Sequence, residues 1–436
     1  MKTVGHSANK IICFSICCLL CAYSGAWAKP AVGAKDATSE NTSLINKFYE
    51  SRGADLFWFR STQDLRQALI SIVDSASFYG FDKRKYHINE LKTANNSKIT
   101  DSAKLRRLDR IYTNAFIAFC KDLYEGDNIG IQLSYDELSG KYKNVSNEHI
   151  LKAIAEIKNG SDLVNVVKQL EPSDTYYQAL KSELRKQVGL NNTSKIKQVK
   201  VSLDLYRWIH HFHFEKYIMV NIGSTILKYY EGDEEKLFSR VIVGKPKTKT
   251  PRFAAYCNMV IFYPYWNVPR SIAVKEFLPK FKRSAAAVES MNLQVIGMNG
   301  AIIDPYSIKW GRYTRNNFPY TLRQSTGCDN SLGVIKFNLT DPFSVYLHDT
   351  NAKKLFGSNH RYYSHGCIRI EQAVGLGNYL LPNKIDEAFL ASCLKDQKPI
   401  ETPIAKPVPI FVVYATAEVD SNGQVQYSKD IYGLFK

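Results

Sequence analysis

Hydrophobic positions follow two regimes along the 436-residue chain. From Leu44 to Val188 apolar residues recur three and four apart. Leu65, Leu69, Ile72, Val73 and Ala76 share one helical face, with Gly80 as its stop. Leu105, Leu108, Tyr112, Ala115 and Phe119 form a second stripe closed by Gly126. Tyr177, Leu180, Leu184 and Val188 form a third after Pro172-Ser173. Aromatic residues at this spacing read as core, and the pattern predicts a helical domain over 44–190. Before it, residues 29–43 lack periodicity and read as a tether. After it, the polar Gly189 to Lys195 stretch marks a boundary, so 191–204 is expected to be a linker.

Beyond the boundary the period shortens to two. Ile218, Val220 and Ile222 alternate, Glu231-Gly232-Asp233 makes a turn, and Leu237 to Val243 returns as a strand. Val334–Phe337, Ser344–His348, Ile410–Tyr414 and Val425–Tyr427 read as further strands, the last after a turn at Gly423. Residues 205–436 are therefore expected to be mainly β, giving an α+β protein of two domains. Residues 264–325 interrupt the strands with a short helical run near Ala273–Phe281 and a polar end from Arg312 to Gln324. An excursion of this length inside a β domain reads as a lid or cap.

The first residues change how composition is read. Lys2 and Lys10 precede an apolar run from Ile11 to Ala22, about a dozen residues and short of the roughly 20 that span a bilayer. Ala26-Trp27-Ala28 supplies small residues at the spacing of a cleavage site, so 1–28 is expected to be a signal peptide. Its removal takes Lys2 and Lys10 with it and lowers the formal charge from +17 to +15. It also removes four of the nine cysteines, leaving Cys120, Cys257, Cys328, Cys367 and Cys393. The product is a basic, exported protein of the periplasm or cell envelope, peripheral to the membrane. An odd number of thiols in an oxidising compartment leaves at least one for a separate explanation. Charge and apolar content exclude wholesale disorder and a polytopic membrane protein. Lys and Arg are dispersed rather than striped, so nucleic acid is not an expected partner.

The candidate chemistry lies in Tyr346-Leu-His348-Asp349-Thr350 and Ser364-His365-Gly366-Cys367-Ile-Arg369. A thiol needs a base or a positive surrounding to supply thiolate. An imidazole at a strand end can serve as that base, and backbone N–H groups in a turn at Gly366 can hold an oxyanion.

These residues resemble the L,D-transpeptidases of bacterial cell-wall synthesis, with a YkuD-type catalytic domain. In that motif a His is followed after about 14–17 residues by Ser/Thr-His-Gly-Cys and then Arg or Asn. The likeness extends from Lys216 to about Tyr432, through Val243-Gly-Lys-Pro246, Pro264 to Lys275, and Gly327 to Gly333. The wording is nearest the long YcbB-like branch, in which a helical scaffold domain comes first. The resemblance implies Cys367 as nucleophile, His348 as proton acceptor and donor, and the Asp349 backbone carbonyl as its orienter. It also implies Ser364, His365 and Gly366 as oxyanion and supporting residues. Arg369, Asn330, Tyr265 and Trp266 are candidate substrate contacts. Peptidoglycan stem peptides would be the partners, a donor tetrapeptide and an amine acceptor, with 3→3 cross-links as product. No metal or cofactor is expected.

Two departures stand out: no room for a peptidoglycan-binding module between the halves, and Cys328 where a small residue or proline is expected. The pairing of Cys120, Cys257, Cys328 and Cys393, and the oligomeric state, stay open.

Other readings are weaker. A zinc site of His348, His360, His365 and Cys367 lacks compact paired-ligand spacing. A papain-like peptidase needs its His after the Cys, and none follows Cys367. A non-catalytic wall-binding protein would not need the intact pair. An L,D-carboxypeptidase, hydrolysing the same intermediate, remains the main alternative.

Overall fold

The computed structural model describes residues 37–53, 56–395 and 397–435, so the expected signal peptide and most of the tether lie outside the described residues. The helical half holds α1 (Ala37–Arg52), α2 (Gln63–Asp74), α3 (Ile88–Asn95), α4 (Ser102–Glu125) and α5 (Ile129–Gln132). It continues with α6 (Ser139–Ile154), α7 (Gly160–Leu170), α8 (Thr175–Gly189) and α9 (Thr193–His210). All five residues of the first stripe are buried, and Gly80 ends that segment at φ 84°. The starts of α4, α7, α8 and α9 are capped by Asp101, Asn159, Asp174 and Asn192, each accepting a backbone N–H of its first turn.

Around α4, Trp58, Tyr112, Phe116 and Phe119 form the centre of one large core. Asp109 is buried there. It accepts hydrogen bonds from the Tyr49 hydroxyl (2.6 Å) and the backbone N–H groups of Phe57 (2.9 Å) and Phe59 (3.0 Å).

Two boundaries differ from the sequence reading. Helix α1 starts inside the expected tether, at Ala37, and the expected linker 191–204 lies almost wholly within α9. The N-terminal turn of α9 is polar (Lys195, Lys197, Gln198, Lys200), which hides an apolar face built from Val199, Leu203, Leu205 and Trp208. That face packs against α8 and the strands of the C-terminal half, so the halves meet through a helix rather than a flexible segment.

The C-terminal half is a closed barrel. A short strand of the helical half, β1 (Tyr135–Asp136), pairs in parallel with β5 (Phe253–Phe262), after β2 (Lys216–Asn221), β3 (Ile226–Glu231) and β4 (Glu234–Gly244). The excursion contributes β6 (Trp266–Asn267), β7 (Leu293–Ile296), β8 (Ile302–Ile303) and β9 (Thr321–Gln324) as a separate four-stranded sheet. Its own core includes Phe277, Phe281, Trp310 and Phe318, so it folds as a small subdomain. The barrel resumes with β10 (Ile335–Leu339), β11 (Tyr346–His348), β12 (Tyr362–Ser364), β13 (Ile368–Ile370) and β14 (Ile400–Val413).

The sheet order is β1-β5-β10-β11-β13-β4-β3-β2-β14, with β12 beside β4 and β14 closing onto β5. A hairpin, β15 (Ala417–Val419) and β16 (Val425–Tyr427), packs on α8 and α9. The turn expected at 231–233 joins β3 to β4, because residues 226–231 form a strand the alternation of Ile218 to Ile222 did not announce. Cys328 and Cys393 form a disulfide, while Cys120 and Cys257 are buried free thiols.

At the end of α9, His210, His211 and His213 gather with His149 of α6 around Tyr124, whose ring stacks on His149 at 4.8 Å. Burial pushes His211 down to about 4, with His213 and His210 adding repulsion, and burial also lowers His213. Below the ordinary histidine value of about 6.5 the unfolded chain binds protons that the folded one refuses. Stability is therefore expected to be full above that value and to fall as pH drops towards 4. A thermal-unfolding series from pH 7.5 to 4.5 checks this, and His211→Phe is expected to flatten its acid side.

Candidate active site

Barrel register brings the chemistry together. Strands β11 and β13 run parallel with Leu347 opposite Ile368 and His348 opposite Arg369. Side chains alternate, so Leu347 and Ile368 point into the barrel core while Tyr346, His348, Cys367 and Arg369 share the other face. Antiparallel β10 sets Lys336 opposite His348 on that same face.

His348 is buried, and its Nδ1 lies 2.5 Å from the Asp349 carbonyl oxygen. A carbonyl only accepts, so Nδ1 carries the hydrogen and Nε2 is left with its lone pair. Burial pushes His348 down to about 3, helped by the positive charges of Arg369 and Lys336 and opposed by the Asp349 carbonyl. Burial also pushes the Cys367 thiol up. Against that, Tyr346 approaches the sulfur with both its backbone N–H and its phenol, and Lys336 adds positive charge. Lys336 Nζ in turn sits 4.4 Å over the Tyr346 ring. No hydrogen bond joins His348 to Cys367 among the described residues, so the resting site pairs a neutral imidazole with a thiol.

The loop before Cys367 is fixed from several sides. Ser364 Oγ donates to the Cys367 carbonyl (2.6 Å) and accepts the Gly366 N–H (3.1 Å). Thr250 Oγ1 donates to the Gly366 carbonyl (2.8 Å) and Thr248 Oγ1 to that of Ser364 (3.0 Å). Gly366 adopts φ +128°, a region that side chains with a Cβ rarely enter. Its N–H is thus spent inside the loop, which corrects the expectation of Gly366 as an oxyanion donor and makes it, with Ser364, a supporting residue. His365 reaches the excursion, where its Nε2 meets Glu276 Oε1 at 2.7 Å. Glu276 lies in a π-helical turn, Ala273–Phe277.

The candidate substrate contacts divide. Asn330 is fully buried; its amide donates to the carbonyls of Ser325 (2.8 Å) and Pro264 (3.1 Å), and its oxygen accepts the Leu332 N–H (2.7 Å). Pro264 and Ser325 are the two ends of the excursion, so Asn330 clamps its base and offers nothing to a ligand. Trp266 packs edge-on to Phe277 in the excursion and reaches the Tyr346 hydroxyl with its side chain. Tyr265 is half-buried under the Arg323 guanidinium at 4.4 Å. Arg369 Nε has no hydrogen-bond partner, and burial makes its charge costlier. The Asp349 side chain belongs to the framework, accepting the Val334 N–H (3.1 Å) and pairing with Lys353. Gly333 has no room for a Cβ, which would lie 2.2 Å from Asp349 Oδ2.

Sequence reasoning missed Lys336 and Glu276. The strand pattern at Val334–Phe337 placed Lys336 on a barrel strand, but only the register with β11 sets it beside the sulfur.

Burial divides the three thiols. It raises Cys257 to about 12 and raises Cys120 as well, with no cation near either. Iodoacetamide is therefore expected to modify Cys367 in the native protein and spare the other two, read by peptide mapping.

The L,D-transpeptidase catalytic domain family matches residues 215–386, and a scaffold domain family matches 43–184. A Haemophilus influenzae protein assigned as an L,D-transpeptidase is 31% identical over 315 residues, covering 71% of this chain and 63% of the relative. The chain thus spans less than two thirds of that relative's length. Among solved structures, an L,D-transpeptidase from Mycobacterium smegmatis aligns at 14% identity and a TM-score of 0.21, over 45% of this chain and 58% of the other. A Cys-to-Ser variant of the Enterococcus faecium L,D-transpeptidase aligns at 13% and 0.19, over 46% and 51%.

The fold and site define a cysteine-containing barrel enzyme carried behind a helical scaffold. The chain carries an L,D-transpeptidase catalytic domain over residues 215–386, preceded by a scaffold domain over 43–184.

Proposed function

We propose that the protein is an exported peptidoglycan L,D-transpeptidase that forms 3→3 cross-links in the cell envelope. The observation that carries this is the barrel face shared by His348 and Cys367, two residues apart along the β11–β13 ladder, with Tyr346 and Lys336 on the sulfur side. The family supplies the substrate class. No helix among the described residues is long and apolar enough to cross a membrane.

In this reading a tetrapeptide stem presents the carbonyl before its terminal D-alanine to Cys367. As sulfur bonds to carbon, the thiol proton passes to His348 Nε2, whose Nδ1–H is held by Asp349. Collapse of the tetrahedral intermediate breaks the C–N bond, and His348 returns the proton to the leaving D-alanine amine. The thioester is then attacked by the side-chain amine of a second stem's third residue, His348 again moving the proton, and Cys367 leaves as thiol. Arg369, with an unpaired Nε beside the nucleophile, is suited to a stem carboxylate. The excursion, latched to the nucleophile loop through Glu276 and His365, acts as the lid.

Intact-mass spectrometry with a tetrapeptide stem tests the acyl-enzyme. The expected result is a mass gain equal to the stem minus D-alanine, absent in Cys367→Ala. Wild type that stays unmodified would overturn the proposal. Adding an amine acceptor then separates routes: cross-linked product supports transfer, whereas tripeptide alone indicates an L,D-carboxypeptidase.

A further inference from the structure

Far from Cys367 in the sequence, a cavity lies where the scaffold meets the barrel, with room for a few water-sized groups. Its barrel side is the outward face of β2 and β3, because Ile218 and Val220 point into the core and Tyr217 and Asn221 point away. Helix α9 crosses this face with Tyr206, and Tyr176 comes from the first turn of α8. The rings pair up across the opening: Tyr176 stacks on Tyr206 at 5.2 Å and Tyr217 on Tyr230 at 4.7 Å. All four tyrosines are half-buried, while the polar groups below them, Asn221 at 3% and Glu418 at 9% exposure, are closed off from solvent.

Glu418 is the unusual member. One carboxylate oxygen accepts a hydrogen bond from Asn221 Nδ2 at 3.1 Å, but Oε1 has no partner. A buried acceptor left without a hydrogen bond is costly, more so if charged, so such a group normally has a partner. Lys228 is committed elsewhere, to Glu235 at 2.9 Å, and its Nζ stands 5.7 Å from the Tyr176 ring. A carboxylate at the bottom of a funnel of aromatic rings matches a cation that also wants apolar contact. Ring faces attract cations, and an ammonium can donate to the free oxygen while its alkyl stem lies along the tyrosines.

We propose that this cavity binds a small organic ammonium group, such as a primary alkylamine, with Glu418 as its anion and Tyr176, Tyr206, Tyr217 and Tyr230 as its walls. The size of the cavity admits the amine end of a ligand and little beyond. The site is separate from the acyl-transfer reaction and does not depend on it. It spans both domains, so occupancy ties α8 and α9 to the barrel.

Saturation-transfer NMR on the full chain tests this with propylammonium chloride, 1-propanol and potassium chloride at matched ionic strength. Saturable binding of propylammonium, none of 1-propanol, and no competition by potassium are expected. Glu418→Gln, nearly isosteric, should weaken binding at least tenfold, and Tyr206→Leu several-fold, so either variant is informative if the other does not fold. Absence of saturable binding overturns the proposal, as does equal binding of the alcohol, full displacement by potassium, or unchanged affinity in the variants. Cys367 acylation, measured in parallel, reports on the acyl-transfer reading separately.

Discussion

Replacing His348 with Ala is expected to slow acylation of Cys367 by about 10²- to 10⁴-fold, the usual contribution of a positioned general base. Ligand binding should change far less, because Arg369 and the lid are untouched. The resting charge state makes the loss sharper. With the imidazole pushed down to about 3 and the thiol pushed up by burial, no thiolate–imidazolium pair waits at neutral pH. The proton must move as the S–C bond forms, so a missing base is felt in the rate itself. The pH profile carries the same signature. Lowering the pH through about 6.5, where an ordinary histidine titrates, should leave acylation nearly unchanged, since His348 stays neutral until far more acid conditions. On the alkaline side the rate should keep climbing as the raised thiol ionises. Stopped-flow acylation by a carbapenem, a family substrate mimic, measures both. A wild-type rate in His348→Ala, or an acid limb centred near pH 6.5, would show that His348 is not the neutral base described.

How much of this was legible in the sequence depends on the range of the interaction involved. The helical stripes around Leu65 to Ala76 and Tyr177 to Leu184 are local patterns, and the buried faces follow them. Strand alternation at Ile218 to Ile222 and the motif from His348 to Arg369 are local too, and together with the family likeness they locate the barrel and its cysteine. What failed was long-range. The polar start of α9 disguised a helix whose buried side is defined by contacts with α8 and β14. Asn330 sits in a segment shared with the family, but its 2.8 and 3.1 Å bonds to the ends of the excursion exist only once residues 264 and 325 meet. Gly366 looked like an oxyanion donor because its turn was evident, while the Ser364 hydroxyl that takes its N–H could not be oriented from spacing. Lys336 needed barrel register. Each miss concerns a partner distant in the chain or a side-chain direction, which periodicity does not encode.

The same misread helix carries the largest expected loss of stability. Arg207 of α9 is fully buried, donating to the Tyr177 hydroxyl of α8 (2.6 and 3.0 Å) and to Asp204 (3.1 Å), with its guanidinium 4.7 Å over the Phe81 ring. Arg207→Ala removes the only cation paired with Asp204 among the described residues and opens a void between α8 and α9. Breaking a buried ion pair from one side costs about 3–5 kcal/mol, so thermal unfolding of the full chain should shift well below wild type. Burial already holds Asp204 up at about 7 with Arg207 opposing it. Without the arginine the carboxyl rises further, and a folded-state value above the unfolded one favours the native state only at low pH. The deficit of Arg207→Ala should therefore shrink as pH falls from 8 to 5 and grow as it rises. Pairing Arg207→Met with Asp204→Leu removes both charges and refills most of the space, and it should recover much of the loss. If the single variant unfolds like wild type, α9 is not held to the scaffold by this pair; if the double variant is no better than the single, lost packing rather than the stranded carboxylate explains the deficit.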